Sequence, residues 1–230
     1  TSDKETPLTL QATADGEIRI YDPKDGMKYK VGDGEKQTIT GTDYVTIDVN
    51  EGQTVQFFGN GTEITAYGDE QGDNYTHFGS DVKCYIYGNI MSLVNEDGFA
   101  TATELTGDYA FQLLFSSFRN LSNHASRKLV LPATTLKKEC YYGMFQNCTS
   151  LESITLPTAA TSLETYSFYG CTALKSISMP DKLTTVKNYS FTGCTSLETV
   201  NLNKVTTLQI SIFEGCTSLK EIELPETLKY

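Results

Sequence analysis

No run of about 18 consecutive apolar residues occurs in the 230-residue chain, so no stretch is long enough to cross a bilayer as a helix. Histidine is scarce. Only His77 and His124 are present, and neither has a nucleophile in a recognisable motif nearby, which leaves a hydrolase triad without support. The six cysteines include no C-x-x-C pair, so a zinc site lacks its usual ligand spacing. Phosphate-cradling strings, G-x-x-x-x-G-K-[ST] or a G-x-G-x-x-G on a strand-turn-helix, are also missing. Basic charge is in short supply: 18 Lys and Arg stand against 29 Asp and Glu, a formal charge of −11. The excess lies early, with 16 acidic and 7 basic side chains in residues 1–85 and 13 and 11 in residues 86–230. A surface of that sign repels phosphate backbones and anionic lipid, so nucleic acid is not an expected partner. Taken together, these absences nominate no catalytic residue, no metal ligand set and no cofactor, and the chain is expected not to be an enzyme.

What is present is ordinary for a folded protein: 39% hydrophobic and 20% charged residues, with 14 Tyr and 11 Phe. The length suits two small domains. The chain opens on Thr1 rather than Met, which suggests a leader removed by processing or by design, and with it export.

Over the first 85 residues apolar and polar residues alternate in short runs. These are Leu8, Leu10 and Ala12; Ile18 and Ile20; Met27, Tyr29 and Val31; Val45, Ile47 and Val49; Val55 and Phe57. Period two is the strand signature, because successive side chains point to opposite faces of a sheet. Asp15-Gly16, Asp25-Gly26, Asp33-Gly34 and Asn60-Gly61 fall between or at the ends of these runs, and such pairs suit tight hairpins. About seven strands at this spacing predict a small β-sandwich.

After Gly88 the period changes to a long repeat. Cys148, Cys171, Cys194 and Cys216 recur at steps of 23, 23 and 22, each preceded by three by Phe145, Phe168, Phe191 or Phe213. Apolar residues follow each Cys at +3, +6 and +8: Leu151, Ile154 and Leu156; Leu174, Ile177 and Met179; Leu197, Val200 and Leu202; Leu219, Ile222 and Leu224. Pro157, Pro180 and Pro225 close three of the units and Asn203 the other. Leu129, Leu131 and Pro132 repeat the ending 25 residues upstream of Leu156 and Pro157, and Phe99, Phe111, Phe115 and Phe118 suggest a degenerate N-terminal cap. A unit this short cannot bury its apolar face alone, so neighbours must stack and share a core. The fold class expected is therefore mainly β, an N-terminal β-sandwich followed by a leucine-rich-repeat solenoid with a repeat of 22–25 residues.

In each unit the +6 and +8 residues alternate on a strand and point inward, so the residues beside them face out. The outward set, Ser153, Thr155, Ser176, Ser178, Thr199, Asn201, Glu221 and Glu223, is the one surface the spacing defines. Its short hydroxyl and amide groups can hydrogen-bond an extended ligand such as a glycan or peptide. Solubility alone explains the same stripe, and no aromatic platform is seen to interrupt it. The register also places the four repeat cysteines on one inward ladder, where they are expected to be reduced and packed as small hydrophobes. Tyr166 and Tyr189 are expected to pack between units. The acidic string Gly68-Asp69-Glu70-Gln71-Gly72-Asp73-Asn74 offers oxygen ligands but lacks a later bidentate Glu, and reads as a solvated hairpin loop.

The strings "MFQNCTSLESITLP", "SFYGCTALKSISMP" and "SFTGCTSLETVNL" resemble the BspA-like leucine-rich repeats of Bacteroidetes and some other microbes. "YIYGNIMSLV" followed by "LVLPATTLKKECYYGMF" resembles the opening of such arrays. What the resemblance implies is a chain divided into an Ig-like β-sandwich over residues 1–83 and a repeat domain over residues 84–230. It further implies an extracellular or outer-surface location, lipid-anchored through a removed leader, and non-catalytic adhesion to or capture of an extracellular protein or glycan. A structural spacer or assembly module without a ligand of its own is the alternative. Glu221, Glu223 and Glu226 at the C-terminal edge disfavour tight edge pairing across a two-fold axis, which points to a monomer or weak dimer.

Overall fold

The computed structural model describes residues 2–41, 44–60 and 66–229. Among them the chain is mainly β, and helix is confined to two short 3-10 turns, Asp3–Glu5 and Ile90–Leu93. In the first part lie β1 (Thr9–Ala12), β2 (Gly16–Tyr21), β3 (Lys28–Val31), β4 (Lys36–Thr38), β5 (Val45–Val49), β6 (Thr54–Phe58), β7 (His77–Ser80) and β8 (Cys84–Asn89). The alternation explains most of them. Leu8, Leu10, Ala12, Ile18, Ile20, Ile47, Val49, Val55 and Phe57 are buried, and Gly26 takes the positive φ that its turn needs. Gly61 of the Asn60-Gly61 pair lies outside the described residues.

Two antiparallel groups form. β2 pairs with β5 on one side and β7 on the other, and β1 lies between β6 and β8, with β3 and β4 beyond β6. Leu10 sits opposite both Val55 and Ile86. The buried faces of the two groups meet where Phe57 of β6 packs edge-on against Phe78 of β7, with ring centroids 4.8 Å apart.

The expected domain boundary falls at the start of β8, and that strand is shared. One edge of β8 pairs antiparallel with β1. Its other edge takes β9 (Leu121–Asn123) and then β10 (Leu129–Val130), both parallel. The shared strand is tightly seated: Gly88 has φ +88°, and a Cβ there would lie 2.1 Å from the Pro7 carbonyl oxygen. Asp3 fastens the same region by accepting from Arg127 Nε at 2.8 Å and from the Lys128 backbone N–H at 2.8 Å. One buried cluster runs from Leu8 through to Cys216.

Beyond β10 the strands are short and parallel. β11 (Ser162–Leu163), β13 (Thr185–Val186) and β15 (Thr207–Leu208) form one ladder, and β12 (Ser176–Ser178) and β14 (Thr199–Asn201) a second. Residues 153–155 and 221–223, expected as strands of the same row, adopt no strand.

The repeats are joined more extensively at the phenylalanine turn than at these strands. Two residues before each Phe the chain is left-handed, at Leu113, Gly143, Tyr166, Tyr189 and Ser211, and two residues after it again, at Ser117, Asn147, Gly170, Gly193 and Gly215. In the first four of these turns the N–H groups at the first left-handed residue, at the Phe and at the second all donate to carbonyls of the next unit. For Tyr166, Phe168 and Gly170 the acceptors are Asn188, Ser190 and Thr192, at 3.2, 2.9 and 2.8 Å. The same three bonds recur from Gly143, Phe145 and Asn147, and from Tyr189, Phe191 and Gly193. They also occur from Leu113, Phe115 and Ser117, so Phe115 holds a repeat position within what reads in sequence as a cap. The rings stack in turn: Phe115, Phe145, Phe168, Phe191 and Phe213 follow one another at 5.6–5.7 Å. Phe78 continues the row to Phe57.

The last unit is the loosest. Leu219 and Ile222 are only half-buried and Leu224 is 50% exposed. Leu228 nevertheless packs on the core, and Lys229 N–H donates to the Thr206 carbonyl. Tyr230 lies outside the described residues.

Candidate binding surface

All eight outward residues are exposed: Ser153, Thr155, Ser176, Ser178, Thr199, Asn201, Glu221 and Glu223. The reason is local. On β12 and β14 the central Ile177 and Val200 are buried in the stack, and the pleat turns their neighbours outward. Ser176 pairs with Thr199 and Ser178 with Asn201 in parallel register. Ser153 is held differently. The Asn123 side chain accepts from the N–H groups of Glu152 and Ser153 at 2.9 and 3.0 Å and donates to the Ser153 carbonyl at 2.8 Å, so a side-chain amide stands where a strand rung would be.

At this end the stripe opens into a cleft of about 460 Å³, walled by His124, Arg127, Lys128, Ser153 and Thr155 among others. A shallower depression, which includes Lys83 and Glu152, shares Asn123, His124 and Ser153 with it. The parallel pairing of β8 with β9 and β10 builds this corner. Tyr85 and Tyr87 of β8 meet the His124 ring edge-on at 5.5 and 5.3 Å, and the Arg127 guanidinium lies 4.1 Å over the Tyr87 ring. The Nδ1 of His124 accepts from the N–H groups of Ser126 and Arg127, both at 3.2 Å. In the neutral ring that leaves Nε2 carrying the hydrogen as a donor. An aromatic and cationic corner therefore adjoins the hydroxyl stripe, where the sequence announced no aromatic platform. The residues that form it come from three separate stretches, 85–87, 124–128 and 153–155, and only the placement of β9 beside β8 unites them.

The remaining candidates resolve into structure. Cys148, Cys171, Cys194 and Cys216 are free and buried, as their register implies. Each thiol donates to the carbonyl of a Phe in the preceding unit, Phe115, Phe145, Phe168 and Phe191, at 3.0–3.1 Å. Burial pushes the thiol of Cys84 up to about 11 and that of Cys140 up to about 12. The same desolvation raises the four ladder thiols, so none is poised as a nucleophile. Tyr166 and Tyr189 stack on each other at 5.3 Å. In the acidic loop the Asp69 carboxylate accepts from Gly72 N–H and Asn74 Nδ2, the pattern of a self-closed turn. His77 lies stacked on Tyr21 and against Tyr75, and burial lowers its pKa. No group of three His, Cys, Asp or Glu side chains able to hold a metal ion is found among the described residues.

A mainly β chain whose units each contribute one stacked Phe and one buried Cys is a β-rich repeat protein. Residues 134–230 match the family model described as the BspA type leucine rich repeat region, in 6 copies. The match covers the four units with Cys-Thr at their centre and leaves residues 1–133 outside, although Phe115 already stands in the stack. No curated protein and no solved structure matches the chain. Repeats of this type suggest a protein-interaction or adhesion module and are generally non-catalytic, and no helix among the described residues is long and apolar enough to cross a membrane.

Proposed function

We propose that this chain is a non-catalytic binding or adhesion protein of a bacterial surface, of the Bacteroidetes type. In this reading an Ig-like β-sandwich over residues 1–83 carries a leucine-rich-repeat solenoid over residues 84–230, and the exposed stripe from Ser153 to Glu223 recognises an extracellular protein or glycan. Attachment is through a lipid on a removed leader, and the chain acts as a monomer or weak dimer. The observation that carries the proposal is the in-register exposure of the stripe beside an open cleft, since a repeated row of short donors and acceptors suits an extended ligand.

An array of glycans and extracellular matrix proteins, probed with the wild type and with the double variant Ser176→Lys/Thr199→Glu, tests it. The two new charges face each other across the β12–β14 register and favour pairing, so the fold is retained while the surface changes. Reproducible capture by the wild type, lost in the variant, is expected. Wild-type silence on the array overturns the proposal in favour of a second reading, a structural spacer. That reading draws on the unbroken phenylalanine row and the shared β8, which connect the two parts.

A further inference from the structure

We infer that the cleft between β8 and the first repeats is a subsite for a carboxylate-bearing sugar, so that the ligand of the stripe is an acidic glycan; this deepens the binding proposal above and rests on it. Charge is the first reason. The chain carries −11 overall, yet Lys83, Arg127 and Lys128 line this corner, and the carboxylates of Asp3 and Glu152 beside them are already answered. Asp3 is held by Arg127 and Glu152 by Lys175, at 2.8 and 2.7 Å. Lys128 and Lys83 line the two connected depressions, and among the described residues neither side-chain amine forms an ion pair with a carboxylate. A basic corner in an acidic surface focuses an anion onto itself.

Shape and donor chemistry are the second reason. A volume of about 460 Å³ lies in the range of small-molecule sites and admits a sugar ring rather than a flat protein surface. Its walls offer the ring of His124, braced by Tyr85 and Tyr87, for the apolar face of a sugar, and the hydroxyls of Ser153 and Thr155 for its hydroxyl groups. An amine at Lys128 then supplies the ion pair for the carboxylate. From Ser153 the chain of a glycan continues directly onto Ser176 and Thr199 along the exposed row.

The test is calorimetric titration of the full chain with a galacturonate hexamer, a hyaluronan hexamer and sialyllactose, each against its uncharged methyl ester, with hexaglutamate as the peptide control. At least one acidic sugar is expected to bind, its ester at least tenfold more weakly, and Lys128→Glu and Lys83→Glu to weaken the acid tenfold or more without shifting the thermal midpoint. Arg127 is avoided because it also secures Asp3. Equal affinity for acid and ester, no binding of any acidic sugar, or tighter binding of hexaglutamate overturns the inference. If the array ligand is still captured, and still lost in Ser176→Lys/Thr199→Glu, while no acidic sugar binds, the acidic-sugar subsite fails and the stripe proposal stands.

Discussion

The two parts of the molecule satisfy the same backbone groups in opposite ways. Residues 9–58 and 77–89 pair along antiparallel strands, so each rung joins residues whose side chains alternate between core and solvent. From Phe115 onward the strands shrink to two or three residues, and the regular bonding moves to a turn in which two left-handed positions flank each Phe. In the sheets a side chain chooses its face by parity. In the repeats it chooses by its place in the unit, and a backbone conformation unfavourable for most residues is held because every unit repeats it against its neighbour. The difference teaches that the repeat core depends on backbone shape at a few positions, whereas the sheet core depends on the pattern of apolar residues.

The largest effect should come from emptying the aromatic row that crosses both parts. Phe168 is buried between Phe145 and Phe191, and Phe168→Ala should cost about 3–5 kcal/mol. Because the row runs on to Phe78 and Phe57, urea unfolding followed by tyrosine fluorescence should remain a single transition in the variant. Two separated transitions would show that sheets and repeats are energetically independent. A smaller effect sharpens the backbone half of the comparison. Gly170 and Gly193 have φ of +70° and +76°, but a Cβ at Gly170 would meet Asn147 Oδ1 at 2.3 Å, while at Gly193 the nearest atom is 3.7 Å away. Gly193→Ala should therefore show the conformational penalty alone, about 1 kcal/mol, and Gly170→Ala about 1–2 kcal/mol more. Equal midpoints in thermal melts would deny that the units pack this closely.

The mildest effect is a slope with pH. Thiols of the unfolded chain ionise near 9.0, while burial holds Cys84 near about 11 and Cys140 near about 12 in the fold. Above pH 9 the unfolded state loses protons that the folded state keeps, so this contribution is complete below pH 9 and declines as pH rises toward 11 to 12. Denaturant midpoints should fall over that window, and Cys171→Ser should fall less steeply than the wild type. The serine itself should cost only about 1 kcal/mol, since its hydroxyl still has the Phe145 carbonyl as acceptor.

The sequence made the apolar half of this architecture readable. Leu10, Ile18, Ile47 and Phe57 are buried where parity puts them, and the Cys and Phe registers lead directly to the ladder thiols and the stacked rings. It concealed whatever depends on backbone shape or on distant neighbours. β4 is wholly exposed and β7 contributes a single buried residue, Phe78, so neither shows an alternating apolar run. β11, β13 and β15 carry only a faint signal, an apolar residue five positions before the Phe at Leu163, Val186 and Leu208. The exposure of the stripe followed from local spacing. The cleft beside it did not, because Tyr87, His124, Arg127 and Ser153 share a corner only through the pairing of β8 with β9 and β10.

The central claim is that the phenylalanine turns, rather than the short strands, hold the repeats together. Hydrogen exchange resolved to single amides tests it directly. The amides of Phe145, Phe168, Gly170 and Phe191 should be the most protected of the repeats, ahead of Ile177 and Val200 on the strands, with protection falling away across residues 216–224, where Leu224 lies open. Turn amides that exchange as fast as those of the strands, or residues 216–224 protected as well as residues 171–179, would contradict it.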